Sequence, residues 1–201
     1  MPNRVLILFA HPLFEKSRVN KELINQVPSQ AGITFHDLYE HYPDFNIDVA
    51  AEKELLLAHD IIIWNHPFYW YSCPALLKQW IDMVLEVGWA YGPGGNALQG
   101  KVVLQILTTG GPQASYQHEG NNRFTMSEFL APFDQTVRLC KMHYLPPFVI
   151  HGTHRLQPSD IRAQATEYAY LLNHLLNEPL DIPQLTTYTY LNDWLKATKP
   201  L

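Results

Sequence analysis

The sequence has few cysteines and no long apolar run. Cys73 and Cys140 are its two cysteines, and they form neither a CxxC pair nor a zinc-binding spacing, which argues against a disulfide scaffold. No stretch approaches the roughly 20 apolar residues that a membrane helix needs. The apolar run from Val5 to Ala10 is too short for the core of a signal peptide. We therefore expect a cytoplasmic protein; a peripheral position on the inner face of the cell membrane stays open.

Strong charge and several catalytic motifs are also missing. The 14 basic and 19 acidic residues give a net charge of −5 without long runs of one sign, so nothing favours binding to nucleic acid. His151 and His154 lie close together but have no HExxH or carboxylate pattern beside them, and we expect no metal site. Ser72 and Ser115 lack the GxSxG context of a hydrolase.

The pattern that is present alternates strands with helices. Apolar runs of strand length occur at 5–10, 33–38, 60–65, 101–107 and 147–150. Helical patterns follow at about 17–26, 52–59, from residue 74, at 125–141 with Pro132 as a possible break, and from residue 158. This alternation predicts one α/β domain over residues 1–201, with a five-stranded doubly wound parallel sheet and helices on both faces. Residues 180–201 are expected to form an irregular C-terminal extension.

Ligands of such sheets bind at the carboxyl ends of the strands, which directs attention to three segments. The first runs from His11 to Asn20 and contains neither GxGxxG nor GxxxxGK[ST]. Ser17, Arg18, Val19 and Asn20 would place free backbone N–H groups at a helix start, which suits a phosphate, while His11 would add a donor. A plain helix cap at Ser17 and a turn filled by His11 explain the same residues equally well.

The second and third segments suit a flat ring. Pro67, Phe68, Tyr69 and Trp70 follow a buried strand and would form an aromatic wall, although a cluster in the core or at a dimer interface is a common alternative. The third segment ends the fourth strand and consists of Thr108, Thr109, Gly110 and Gly111. Paired glycines let the backbone approach a ligand closely, but an ordinary turn fits them as well.

Two candidate catalytic residues lie in the polar loop that follows. Tyr116 and His118 could hydrogen-bond a reduced ring or protonate a substrate oxygen. For His118 in so polar a loop, simple exposure to solvent is the favoured interpretation.

Together these segments resemble those of the flavodoxin-like NAD(P)H:quinone oxidoreductases, in particular the bacterial ancillary proteins of glutathione-regulated potassium-efflux systems. The order and spacing of several motifs carry the resemblance: VLILFAHP at 5–12, SRVN at 17–20, HPFYWY at 66–71, PALLKQWID at 74–82, GWAYG at 88–92 and TTGG at 108–111.

The resemblance implies a flavodoxin-like fold and a noncovalent flavin, FMN as in the bacterial relatives or FAD as in the mammalian enzymes. His11 and residues 17–20 would surround its phosphate, and residues 67–70 and 108–111 would border its ring. It also implies a homodimer with active sites at the subunit interface. The activity would be that of an NAD(P)H dehydrogenase (quinone), which reduces a quinone or a similar flat aromatic acceptor by two-electron ping-pong hydride transfer.

Two points of the resemblance stay open. Tyr116 matches a tyrosine that supports the reduced flavin in the mammalian quinone reductases, but their accompanying histidine falls at Asn122 here, so His118 is a possible substitute. The function has two alternatives: a regulatory subunit that binds a membrane potassium-efflux protein with a mainly structural flavin, and a one-electron carrier of the flavodoxin type.

Overall fold

A parallel sheet forms the centre of the protein in the computed structural model, which describes residues 2–198. The strands are β1 (Val5–Phe9), β2 (Ile33–Asp37), β3 (Ile61–Pro67), β4 (Val102–Thr108), β5 (His143–Tyr144) and β6 (Phe148–Ile150). Their order is β2-β1-β3-β4, and β5 and β6 share the fifth position, both parallel to β4. The predicted five-stranded doubly wound sheet is thereby confirmed, with its last strand divided into two short pieces.

Continuous apolar runs form the inner strands because helices cover both faces of the sheet. Every residue of β1, β3 and β4 is buried. Phe9 pairs with Asn65, and Pro67 pairs with Thr108. This register brings the ends of β1, β3 and β4 to one edge, where all three predicted segments begin.

The helices are α1 (Arg18–Asn25), α2 (Leu38–His41), α3 (Val49–Ala58), α4 (Ala75–Val84), α5 (Met126–Leu139), α6 (Pro158–Asn177), α7 (Ile182–Leu185) and α8 (Leu191–Thr198). Side chains of α2 to α5 pack in one apolar cluster with the sheet, and those of α1, α6, α7 and α8 pack in a second cluster. The two clusters confirm the prediction of helices on both faces. None of the described helices combines the length and the apolar character needed to cross a membrane.

Two local expectations were wrong. The segment from residue 180, predicted to be irregular, contains α7 and α8 within the described residues. Its apolar residues Trp194 and Leu195 lie three and four positions after Leu191, and all three are buried in the cluster that packs on the sheet. Pro132 does not break α5. It is on the exposed side of the helix, where water can solvate the carbonyl that loses its N–H partner.

A fully buried carboxylate joins α3 to the sheet and to α4. Glu52 accepts hydrogen bonds from His36 Nε2 at 2.7 Å, from the Tyr42 hydroxyl at 2.6 Å and from Trp80 Nε1 at 2.7 Å. Burial by itself would raise the pKa of Glu52, but the three donors lower it overall. The carboxylate is therefore kept ionised inside the core by its partners.

Candidate functional site

The three segments form one cleft of about 730 Å³ at the carboxyl edge of the sheet. The residues that line it are His11, Leu13, Lys16, Ser17, Arg18, Val19, Asn20, Pro67, Phe68, Tyr69, Trp70, Tyr71, Thr108, Gly110, Tyr116, Thr153 and His154. Most of the predicted binding residues are therefore close together. Thr109, Gly111 and His118 are the predicted residues that do not line the cleft.

The start of α1 forms one end of the cleft. Ser17 caps the helix: its Oγ accepts from the backbone N–H of Asn20 at 3.2 Å and from Asn20 Nδ2 at 3.1 Å, which leaves the hydroxyl hydrogen free to donate. The N–H groups of Arg18 and Val19 have no partner within the helix, and they lie at its positive end. This end of the cleft suits an anion.

Asn20 connects this end to the third segment. Its Nδ2 also donates to Thr108 Oγ1 at 3.1 Å, whereas its Oδ1 is buried and has no hydrogen-bond partner. An unpaired buried amide oxygen is costly unless a ligand or a water donates to it. Oδ1 of Asn20 is therefore an acceptor available to a hydroxyl-bearing ligand.

His11 presents a neutral donor. Its Nδ1 accepts from the Leu13 N–H at 3.2 Å, so the proton is on Nε2. Burial lowers the pKa of His11, which keeps the imidazole uncharged at neutral pH. The ring also contacts Tyr69 edge-on, with 6.1 Å between centroids, so the first and second segments touch.

The second segment contains a strained turn. The Ser72 N–H donates to the Tyr69 carbonyl at 3.0 Å, and the two residues between them, Trp70 and Tyr71, have φ angles of 49° and 62°. Aromatic residues rarely adopt this left-handed conformation, and each costs about 1–3 kcal/mol. Trp70 is 93% exposed. The exposed Trp70 side chain at the rim of the cleft is thus held by a backbone conformation that costs free energy.

An aromatic cluster lies behind the turn. Phe68 is buried and contacts Tyr116 edge-on at 5.9 Å, while Tyr71 stacks on Phe129 at 5.0 Å. Phe68 therefore belongs to the core and also lines the cleft.

The glycines of the third segment make room for side chains. A Cβ on Gly110 would be 2.7 Å from His154 Nε2, and one on Gly111 would be 3.3 Å from the Tyr116 hydroxyl. Neither position requires a left-handed backbone. The small size of these residues lets the loop that follows β6 lie close to the third segment. In this loop the Thr153 N–H donates to the Thr109 carbonyl at 3.0 Å.

Thr109 does not line the cleft, but its hydroxyl links the third segment to His151. Its hydroxyl donates to the Gly111 carbonyl at 2.8 Å, so at 3.1 Å it accepts from His151 Nδ1. His151 also contacts the Tyr116 ring at 5.4 Å. Burial raises the pKa of Tyr116, so its hydroxyl stays protonated and can donate.

His118, the second candidate catalytic residue, does not line the cleft. The His118 side chain is 63% exposed, and its Nδ1 is 3.3 Å from the Arg123 carbonyl. The polar loop carries it into solvent, as the favoured interpretation of the sequence expected. A catalytic role for His118 remains a prediction.

Five residues that line the cleft were not predicted from the sequence: Leu13, Lys16, Tyr71, Thr153 and His154. Lys16 and Tyr71 directly adjoin predicted residues, and Leu13 lies two positions after His11 within the first predicted segment. Thr153 and His154 follow β6, so the same strand-end rule, applied to the fifth strand, could have found them.

Comparison with known proteins agrees with the fold. A family model for the flavodoxin-like fold matches residues 3–174. The glutathione-regulated potassium-efflux system ancillary protein KefG of Pectobacterium atrosepticum is 46% identical over 177 residues, which are 88% of this chain and 97% of the relative.

Two solved structures are similar over nearly their whole length. General stress protein 14 of Treponema denticola, in complex with FMN, is 39% identical with a TM-score of 0.81, covering 86% of this chain and 99% of that chain. An NADPH-quinone reductase from P. pentosaceus is 32% identical with a TM-score of 0.77, covering 84% and 97%. The family resemblance seen in the sequence is confirmed: the chain belongs to the flavodoxin-like fold family.

Proposed function

We propose that the protein binds FMN in this cleft and transfers hydride from NADH or NADPH to a quinone or a similar flat aromatic acceptor. One observation carries the proposal: a single cleft joins a capped helix start to an aromatic turn, with a buried unpaired oxygen of Asn20 between them. Two relatives agree with it, since one is named an NADPH-quinone reductase and another is solved with FMN.

The phosphate end fits the donor set of α1. The free Ser17 hydroxyl and the N–H groups of Arg18 and Val19 would bind phosphate oxygens, and Lys16 adds positive charge at the rim of the cleft. Asn20 Oδ1 would accept from a ribityl hydroxyl, which removes the cost of leaving it unpaired. These groups hold the ligand without requiring a strongly basic surface.

The ring end fits the turn and the third segment. Pro67 to Tyr71 and Thr108 to Gly110 would border the flavin, which when bound supplies the hydride chemistry. Tyr116 keeps its proton because burial raises its pKa, so it can donate a hydrogen bond toward charge that develops on the ring or on the acceptor. No ionised acid in the cleft is needed as a base.

The exposed aromatic rim suits a second copy of the chain. Tyr69, Trp70, Tyr71, Phe124 and Leu13 are exposed apolar side chains, and such residues often mark an interface. We propose a homodimer in which this rim faces the partner. Sedimentation should give twice the mass of 23.2 kDa; a monomer at micromolar concentration would contradict it.

A second function, an ancillary subunit of a potassium-efflux transporter, is supported by the 46% identity to a relative with that name. A pull-down with the transporter and a potassium-efflux assay, each with and without the protein, would test it. Unchanged efflux and no capture would exclude this role. Oxidoreductase activity alone decides nothing here, because both functions can coexist.

The enzymatic proposal is tested by the stoichiometry of the reaction. One NAD(P)H should be consumed for each quinone reduced, without a semiquinone signal in electron spin resonance. A stable semiquinone with slow quinone reduction would instead indicate a one-electron carrier. Absence of NAD(P)H oxidation in the flavin-loaded protein would contradict the enzymatic proposal.

A further inference from the structure

A buried polar chain crosses the sheet beside the aromatic turn. His66 of β3 and Gln105 of β4 are fully buried in otherwise apolar surroundings, and Tyr144 of β5 is partly buried. The Tyr144 hydroxyl donates to Gln105 Oε1 at 2.5 Å, Gln105 Nε2 is 3.1 Å from His66 Nε2, and His66 Nδ1 is 2.9 Å from the Pro67 carbonyl oxygen. This row of hydrogen bonds ends at Pro67, which lines the cleft.

The direction of every hydrogen bond in this chain is fixed. A carbonyl oxygen only accepts, so Nδ1 of His66 carries the proton and donates to Pro67. The Nε2 of a neutral ring then accepts from the amide of Gln105, whose oxygen accepts from Tyr144. A reversed amide would place the oxygen of Gln105 against a bare ring nitrogen, with two acceptors facing each other. Burial lowers the pKa of His66 to about 4, so the ring is neutral at physiological pH.

The row of hydrogen-bonded side chains supports β3 at Pro67, where the hydrogen bonding between β3 and β4 lacks a donor. Pro67 pairs with Thr108 but has no N–H to donate. The peptide between Pro67 and Phe68 is held in other ways: the Phe68 N–H donates to the Thr108 carbonyl at 2.8 Å, and the Pro67 carbonyl accepts from His66 and, at 3.1 Å, from the Tyr69 N–H.

This peptide leads directly into the strained turn. Trp70 and Tyr71 hold left-handed conformations, which persist only where neighbouring contacts over-determine the backbone. The bond from His66 is the one side-chain bond among the described residues that reaches the Pro67 carbonyl.

We propose that His66 is a positioning residue: through a tautomer fixed by Gln105 and Tyr144, it holds the Pro67 carbonyl and thereby sets residues 67–71 at the cleft. The consequence for flavin affinity rests on the proposed function. The consequence for the backbone of the turn does not.

Two substitutions separate the donor from the shape of the ring. His66→Asn keeps an amide donor near the position of Nδ1, whereas His66→Phe keeps the ring and loses both nitrogens. FMN affinity is measured by quenching of flavin fluorescence, and amide hydrogen exchange at residues 68–72 is measured on the full chain without flavin. His66→Phe is expected to weaken FMN binding about tenfold and to accelerate exchange about tenfold, since one hydrogen bond is lost. His66→Asn is expected to recover most of both.

A buried histidine elsewhere gives the matched control. His59 bonds the Leu55 carbonyl through Nδ1 at 2.7 Å and Thr34 Oγ1 through Nε2 at 2.7 Å, and it is not part of the cleft. His59→Phe should lower the melting temperature without changing exchange at 68–72. In the wild type, ¹⁵N shifts of His66 should show the Nδ1–H tautomer from pH 5 to 9.

Wild-type exchange at 68–72 in His66→Phe, or equal behaviour of His66→Asn and His66→Phe, would overturn the proposal, as would an Nε2–H tautomer. If His66→Phe does not fold, Gln105→Met replaces it: it removes the donor to Nε2 and should accelerate exchange at the same residues, and unchanged exchange would count against the proposal. A wild type that binds no FMN would contradict the proposed function, while the exchange data would still decide the role of His66.

Discussion

Replacing Gly110 by alanine tests how the third segment shapes the cleft. The added Cβ would lie 2.7 Å from His154 Nε2 and 2.9 Å from its Cδ2, whereas apolar contacts are comfortable at roughly 3.5–4.0 Å. One of the two groups must move by about 1 Å. The backbone of this segment is held by the Thr109 N–H bond to the Ile150 carbonyl at 2.9 Å and by the Thr153 N–H bond to the Thr109 carbonyl at 3.0 Å, and His154 is exposed. We therefore expect the imidazole to move, toward the cleft that it lines.

The magnitude follows from this displacement. Stability should change by less than about 1 kcal/mol, because an exposed side chain adjusts easily. FMN affinity should fall about tenfold, or about 1.4 kcal/mol, which is at the lower end of the cost of overpacking. The assay is a fluorescence titration of FMN with Gly110→Ala, His154→Ala and the double variant.

The double variant decides the cause. If His154 transmits the effect, Gly110→Ala should cost less than about threefold in the His154→Ala background, which gives a coupling energy of at least about 0.7 kcal/mol. An undiminished loss in the double variant would show that the Cβ itself obstructs the ligand and would refute the role of His154. Unchanged affinity in the single variant would show that Gly110 does not shape the flavin site.

Three further predictions concern the cap, the tyrosine and the buried carboxylate. Ser17→Ala should weaken FMN about tenfold and leave riboflavin, which lacks the phosphate, within about twofold; an equal loss for both would exclude a phosphate contact. Tyr116→Phe should keep FMN affinity within about threefold and slow quinone reduction roughly a hundredfold in stopped-flow kinetics, and an unchanged rate would remove its role as donor. Glu52→Gln should destabilise by about 3 kcal/mol, or roughly 6–12 °C in melting temperature, because it weakens a buried charge network. The pKa of Glu52 is lower in the folded than in the unfolded protein. Its contribution to the stability of the fold is therefore present above the unfolded pKa of about 4.3 and is lost as the pH falls through the folded pKa. If acid unfolds Glu52→Gln with the same pH dependence as the wild type, this role of Glu52 is contradicted.

The sheet and the position of the cleft were predictable because each rests on a local pattern. Buried strands such as Val5–Phe9 read as continuous apolar runs. Once the strands are placed, the ends of three neighbours must share an edge, so the segments after residues 10, 65 and 107 must meet.

The remaining features depend on contacts between distant residues. Nothing in the sequence around Trp70 indicates a left-handed backbone, because aromatic residues disfavour it. Glu52 lies in a helix with other charged residues, so the sequence suggests a side chain exposed to solvent. Its burial depends on His36, Tyr42 and Trp80, which come from three other segments. The strand-end rule applied to the predicted fifth strand places His154 at this edge of the sheet, but its closeness to Gly110 is visible only in the structure.

The flavin content of the purified protein decides whether the cleft binds FMN. The visible spectrum should show flavin bands, or the colourless protein should take up one FMN per chain, with heat releasing FMN rather than FAD. Ser17→Ala should lower this content at limiting flavin. A protein that takes up neither FMN nor FAD would contradict the account.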